Sequence, residues 1–372
     1  MAERMREAAA AAIKKEAPMP SEMVLVAYKS MSKDYKDELR GMNFFDVAVP
    51  NHNGVAFWTQ PGGIPGPERY AKSTACRELD FFVSHVLRAD PNSPNKMMKT
   101  PIVYGIQKCT DIYIGSHCAL TRLVAEGKVK QEEAFEYMSN MSYWCDIGCV
   151  DQVDIPKKMF IIRNHLGDFV QNARFVLCVV STHYFSRAWC LYEFCICLKR
   201  EKLDTIVIAN AAVTWFESER RKVADAIVSC SFEKSNCFDP TDRKIIEAKI
   251  NEEFASVAHF DRLVKYAACA LSARAALFFG VDFYKSWYSI WTDTAKRCGF
   301  DDLAIVLGEV DVAGLKAKAD AKFPDEAGVS RSSERLGFVE QFTQGWFEEK
   351  VAPLLNRERG EAIRNMSPSI FP

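Results

Sequence analysis

Four short apolar runs, separated by helical patterns, constrain the fold of this chain more than any other feature. They are Leu79–His85, Tyr143–Ile147, Phe175–Ser181 and Asp204–Ala211. Near-continuous hydrophobic strands that alternate with helices are typical of a parallel sheet covered by helices on both faces. We therefore predict a doubly wound α/β sheet in the order 2-1-3-4-5, with the first run central and a weakly indicated fifth strand in Ile227–Phe238.

The regions before and after this sheet have different patterns. The segments "FFDVAVP" and "VAFWTQ" flank the turn-rich "NHNG", which predicts a β-hairpin. The stretch "PGGIPGP", Pro61–Pro67, predicts a linker. The first crossover is unusually long and predicts an insertion at residues 86–142 that holds two helices. We therefore expect an N-terminal extension at 1–75, an α/β domain at 76–257 and a C-terminal helical region at 258–372.

Charge and cysteine content limit the class of partner and compartment. The 372 residues carry 48 basic and 49 acidic side chains, so no overall field favours nucleic acid. The start has no uninterrupted apolar core, and 13 cysteines then suggest reduced thiols in the cytoplasm. Lys265, Arg274 and Asp282 interrupt the most apolar stretch, Leu263–Tyr284, which predicts a buried helix of a soluble protein rather than a transmembrane span.

The segment "RFVLCVVSTHYFSRAWCLYEFCICLKR", Arg174–Arg200, predicts a buried strand, a turn and a helix that begins after Ser186. Trp189 and Glu193 are four residues apart and therefore neighbours on this helix. They lie just beyond the carboxyl end of a strand, where open α/β sheets bind ligands. Four more polar or aromatic residues follow strand ends and should line the same rim: His85, Asp146, Ser181 and Tyr184. Periodicity alone favours a purely structural role, because a carboxylate is stabilised near a helix start and a Trp after a tight turn is commonly a packing residue.

Three segments together resemble the Toll/interleukin receptor (TIR) domain superfamily, most of all its divergent protist and algal members. They are "FFVSH", "SYWCDIGCVDQVDI" and "FVLCVVSTHYFSRAWCLYEFC". The third is the closest match, because plant and protist members show an apolar strand, a Ser, a Tyr-containing turn and then Trp-Cys-x-x-Glu. The resemblance extends over about Leu79–Phe254 and implies a flavodoxin-like fold.

Several TIR proteins cleave the nicotinamide–ribose bond of NAD, and the resemblance places their catalytic carboxylate at Glu193. A fixed carboxylate can stabilise the oxocarbenium-like ribose that forms when nicotinamide leaves. Trp189 would then offer a flat wall for a ring of the ligand. The resemblance implies that NAD is a substrate rather than a cofactor and that Trp189 lines its site. Four further candidate binding residues follow from their positions at strand ends: Ser181, His85, Asp146 and Tyr184.

Other functions stay open. A non-enzymatic TIR-like adaptor, built into a larger assembly, is the main rival to an NAD glycohydrolase, and a nucleoside transferase could use the same chemistry. The insertion could also cover the cleft. A Cys190–His183 nucleophilic pair or a metal site at Cys145, Cys149 and His165 is less favoured, because no zinc spacing or third orienting group is present. The resemblance further predicts self-association through the loop Gly148–Lys158.

Overall fold

The computed structural model describes residues 34–59, 64–87, 99–200, 203–210, 217–237, 239–280, 285–324 and 333–364. Three predicted features lie partly or wholly outside these ranges. They are residues 1–33 of the extension, the first part of the linker, and the last residue predicted for each of the fourth and fifth strands.

One mixed sheet organises the described part of the chain. Its strands are β1 Arg40–Asn43, β2 Thr74–Ala75, β3 Phe81–His85, β4 Ser142–Trp144, β5 Phe175–Val179 and β6 Ile206–Ala209. They follow the order β2-β1-β4-β3-β5-β6. β3 pairs in parallel with β4 and β5, and β5 with β6, whereas β1 is antiparallel to both of its neighbours. The predicted parallel order 2-1-3-4, with the first run central, is therefore confirmed.

The helices have the following bounds. They are α1 Phe44–Ala48, α2 Val55–Trp58, α3 Gly66–Lys72, α4 Pro101–Ala125, α5 Ala134–Ser139, α6 Asp146–Cys149, α7 Ile155–Asn164, α8 Leu166–Asn172, α9 Ala188–Leu198, α10 Glu217–Ser229, α11 Pro240–Glu253, α12 Val257–Gly280, α13 Lys285–Arg297, α14 Asp301–Gly308, α15 Val312–Lys322, α16 Ser333–Trp346 and α17 Ala352–Ala362. Short 3-10 turns occur at Tyr35–Asp37, Gln131–Glu133, Tyr184–Ser186 and Leu203–Thr205, and π-type turns at Pro50–Gly54 and Phe347–Val351.

The predicted fifth strand is wrong within the described residues. The first part of Ile227–Phe238 is the end of α10, and the rest forms a turn with one isolated bridge from Asn236 to Arg187. Val223, Ala224 and Ile227 are buried at helical spacing, so helix α10 places its apolar side chains on one face. The additional strands, β1 and β2, instead lie at the opposite edge of the sheet.

The predicted hairpin in the N-terminal extension is also wrong. The Asn43 side chain accepts a hydrogen bond from the Asp46 amide, 3.0 Å, and so caps α1. The "NHNG" tetrad continues into α2 instead of reversing a strand, and Trp58 of α2 is buried in the core. The extension still contributes β structure, because β1 pairs with β4.

The insertion holds one long helix, α4, followed by the short α5. Thr100 caps α4 and Pro101 occupies its first turn, while Gly127, with φ of 69°, follows its end in the left-handed region. A Cβ added to Gly115 would lie 2.5 Å from the Leu177 side chain, so this glycine lets α4 approach β5 closely.

The core extends from the sheet into both flanking regions. Phe81 stacks on Tyr143 and Phe175, with ring centroids 4.9 and 5.4 Å apart. α12 contains the predicted buried helix as far as Gly280, packs on β6 and shares this core. None of the helices in the described ranges has the length and apolar character that a membrane span requires. The proposed division into three regions stays a prediction.

Candidate functional site

The carboxyl ends of the parallel strands bring several predicted residues to one edge of the sheet. β3 ends at His85, and Asp146 begins α6 directly after β4. Beyond β5, a 3-10 turn carries Tyr184 and leads into α9, which carries Glu193. The register that pairs β3 with both β4 and β5 therefore places these four side chains around the end of the central strand.

Glu193 is half-buried and belongs to a short chain of hydrogen bonds that extends into the core. The Ser84 hydroxyl donates to Glu193 Oε2 at 2.5 Å and lies 2.6 Å from the Tyr184 hydroxyl. Burial, together with the Asp146 charge, raises the pKa of Glu193 from its usual 4.5 to about 8, although the hydrogen bond from Ser84 lowers it. The carboxyl group is consequently largely protonated at neutral pH.

His85 links the neighbouring acid to a buried base. Its Nε2 lies 3.0 Å from Asp146 Oδ1, and its Nδ1 lies 2.5 Å from Lys108 Nζ. Because Lys108 supplies the proton at Nδ1, the neutral ring carries its own proton on Nε2 and donates it to Asp146. Burial and the Lys108 charge lower the pKa of His85. Burial opposes ionisation of Asp146, yet the hydrogen bond to His85 holds the pKa of this carboxyl below its usual range.

Lys108 closes this edge of the sheet from α4. Its ammonium group donates to the Val86 carbonyl and lies 4.8 and 5.0 Å from the ring centroids of Trp58 and Tyr104. Tyr104 also donates to the Val86 carbonyl, at 2.5 Å, and Trp58 packs edge-on against His85. Burial lowers the pKa of Lys108 to about 7. The α4 and α2 side chains therefore occupy the space above the end of β3.

Two predicted ligand-binding residues make other contacts. The Trp189 indole donates to Asp242 of α11 at 3.3 Å, and the ring packs edge-on against Tyr192. The Ser181 hydroxyl lies 3.4 Å from His183 Nδ1. Neither side chain shares the hydrogen bonds of Glu193 in the described structure, so the structure gathers Glu193, Tyr184, His85 and Asp146 but not these two.

Sequence reasoning missed Trp58, Tyr104 and Lys108. Tyr104 and Lys108 are one turn apart on a helix whose neighbouring positions, such as Cys109 and Ile112, are apolar, and this spacing was the available signal. The sequence does not indicate that Trp58 reaches the site, because its segment has the pattern of a strand and not of a helix.

The cysteine alternatives receive no support from the geometry. Cys190 donates to the His85 carbonyl at 3.5 Å, and Cys145 and Cys149 are buried core thiols. All 13 cysteines are free thiols. Within the ranges that the structure describes, no cluster of three or more His, Cys, Asp or Glu side chains could hold a metal ion.

The sheet order and the acidic edge define an α/β protein of the flavodoxin-like type with a site at the carboxyl ends of its strands. A family model of the TIR domain matches residues 149–228, which include β5, β6, α9 and Glu193. The chain therefore carries a TIR domain and belongs to that superfamily. No curated protein and no solved structure matches the chain.

Proposed function

We propose that this TIR-domain protein is a cytoplasmic signalling protein that binds NAD at the Glu193 edge and cleaves its nicotinamide–ribose bond. The TIR domain indicates a signalling or adaptor role, and TIR domains generally mediate protein–protein interaction. The NAD chemistry is the finer proposal. The observation that carries it is the position of the half-buried Glu193 carboxyl at the carboxyl edge of the sheet, where the Ser84 hydroxyl holds it and desolvation raises its pKa to about 8.

The proposed chemistry uses groups that already surround Glu193. When nicotinamide leaves with the electron pair of the broken bond, positive charge develops on the ribose and would favour loss of the Glu193 proton to solvent. A water molecule would then bond to the same ribose carbon and release a proton. The Ser84 hydroxyl holds one oxygen of Glu193, so the other oxygen can face the ribose. Asp146 adds a second negative charge nearby. A half-buried pair of acids, one of them protonated before the ligand enters, suits the binding of a cationic group.

A second candidate is a non-enzymatic adaptor, and one observation favours it. Trp58, Tyr104 and Lys108 are buried where a nucleotide would have to enter, and Lys108 is bonded to His85 and to Val86. Cleavage of NAD at this edge therefore requires α4 to move its inner side chains. An adaptor would keep the edge closed and use the outer surface of the domain.

Nicotinamide release from NAD by concentrated protein distinguishes these two functions. Glu193→Gln keeps the shape of the side chain and removes its charge, so we expect release to fall by at least ~10²-fold. Glu136→Gln, which removes an exposed carboxylate on α5, is the matched control and should keep the wild-type rate. Wild-type protein that leaves NAD intact at high concentration would establish the adaptor instead.

A further inference from the structure

Two cysteines from neighbouring helices of the C-terminal region are in hydrogen-bonding contact. Cys269 lies on α12 and is fully buried, whereas Cys298 directly follows α13 and is half-buried. Their thiol groups share a hydrogen bond. Because α12 packs against α13, this pair joins two helices through side chains that are 29 residues apart in the sequence.

A Schellman motif at the end of α13 holds Cys298 in place. The Phe300 amide donates to the Ala295 carbonyl at 3.0 Å. The Gly299 amide donates to the Lys296 carbonyl at 2.9 Å, and Gly299 has a φ of 75°, the left-handed conformation that this helix ending requires. Phe300 is buried and anchors the turn in the core. The backbone of Cys298 is therefore fixed, and its thiol is held against α12.

The surroundings of the pair make Cys298 the more acidic of the two thiols. The hydrogen bond from Cys269 lowers the pKa of Cys298 below its usual 9.0, and the charges of Lys265 and Arg297 lower it further, although burial raises it. The same hydrogen bond, together with burial, raises the pKa of Cys269 well above 9.0. Because the thiolate is the reactive form, Cys298 is the nucleophile of the pair and Cys269 keeps its proton.

Cys298 differs both from the other half-buried thiols and from the other thiol pairs. Cys76 and Cys237 are also half-buried, but burial raises the pKa of each of them. Two further pairs share hydrogen bonds but are enclosed in the core: Cys145 with Cys149, and Cys178 with Cys197. Cys298 combines partial exposure, a lowered pKa and a second thiol in contact, which are the properties of an oxidant-sensitive cysteine.

We propose that Cys298 and Cys269 form a peroxide-reactive dithiol that closes to a disulfide between α12 and α13. The Cys298 thiolate attacks one oxygen of hydrogen peroxide, the O–O bond breaks, and the departing hydroxide takes a proton from solvent to become water. The sulfenic acid on Cys298 is then attacked by the Cys269 sulfur, which forms the S–S bond, and the Cys269 proton leaves with the hydroxyl group as a second water. The two sulfurs lose two electrons, which the peroxide accepts. This reaction does not depend on the chemistry at Glu193.

Peptide mapping of the full chain by mass spectrometry tests this dithiol. Reduced protein is treated with hydrogen peroxide, the remaining thiols are blocked, and the chain is cut with trypsin. The two cysteines then fall in different peptides, residues 266–274 and 298–316, which only a disulfide can join. We expect the joined peptides in the wild type and their loss in Cys298→Ser. Cys237→Ser, which removes a half-buried thiol of raised pKa, is the matched control and should give the joined peptides to the wild-type extent.

The rate of thiol oxidation in the wild-type chain supplies a second readout, which does not depend on the folding of any variant. At pH 7, Cys298 should react with peroxide at least about 10-fold faster than Cys237, because the thiolate fraction changes about tenfold for each unit of pKa. In Cys269→Ser the sulfenic acid should persist on Cys298 and be trapped by dimedone. A wild-type chain in which peroxide leaves Cys298 reduced overturns the proposal. So does a Cys298 that reacts no faster than Cys237, or one that forms its disulfide with a cysteine other than Cys269.

Discussion

The two sides of α4 depart from the usual pattern of a surface helix, because the inner side buries polar residues among apolar ones such as Ile112 and Leu123, while the outer side exposes apolar residues. The inner side buries Gln107, Lys108 and Arg122, whereas the outer side exposes Ile102 and Ile106. Most surface helices place their apolar stripe against the core and their charges in water. Here the inner side departs from this pattern by burying charged groups, and the outer side departs from it by exposing apolar ones.

On the inner side, every buried charge has specific partners. Lys108 bonds to His85 and to the Val86 carbonyl, and Arg122 bonds to Glu340 and to the Asp204 carbonyl. Buried charge is tolerated when it is paired in this way. The inner side of α4 therefore positions its neighbours through polar contacts as well as through apolar packing.

Among the variants considered, loss of Glu340 should lower the free energy of unfolding the most. The Glu340 carboxylate of α16 is buried and accepts from Arg122 Nε at 3.0 Å and from Arg274 at 3.4 Å. Glu340→Ala leaves two buried guanidinium groups without this carboxylate, so we expect the free energy of unfolding to fall by about 3–5 kcal/mol. Urea unfolding measures this loss. Glu349→Ala, at an exposed ion pair with Lys350, should change stability by less than about 1 kcal/mol. Equal losses of stability in the two variants would contradict the conclusion that the buried arginines depend on Glu340.

A smaller effect should be a pH dependence of the free energy of unfolding that is caused by Glu193. The folded chain holds the Glu193 proton up to a pKa of about 8, whereas the unfolded chain loses it near 4.5. Between these values the folded state binds more protons, so this group makes the free energy of unfolding fall as pH rises. Glu193→Gln should therefore match the wild type near pH 5 and exceed its stability by about 2–4 kcal/mol near pH 9.

Unfolding by denaturant at the two pH values measures this difference. Glu136→Gln is the control for removal of one carboxylate from the surface. A Glu193→Gln variant whose stability relative to the wild type does not change with pH would mean that Glu193 is not buried as described.

The sequence predicted the central sheet well because β3, β5 and β6 are buried on both faces and so consist of near-continuous apolar runs. It also predicted that several site residues lie at one edge of the sheet, because the carboxyl ends of parallel strands meet there. These residues are His85, Asp146, Tyr184 and Glu193. The closure of that edge was missed, because it depends on long-range contacts of Trp58 and Lys108 that have no local signature.

The N-terminal extension is a second region that the sequence alone did not predict correctly. Its apolar residues fit a strand pattern as well as a helix pattern over five to seven positions, and tertiary packing decided between them. Trp58 donates its indole hydrogen to the Val47 carbonyl and is enclosed by the core, which fixes α1 and α2 as helical turns.

The central claim is that α4 buries a lysine at the candidate site, and the titration of Lys108 tests it most directly. Lysines labelled with ¹³C at Cε can be followed by NMR as a function of pH, with Lys108→Met to assign the signal. We expect one lysine to titrate with a pKa of about 7, in line with burial beside His85, Trp58 and Tyr104. A Lys108 signal that titrates at the usual value of 10.5 would contradict the closed edge.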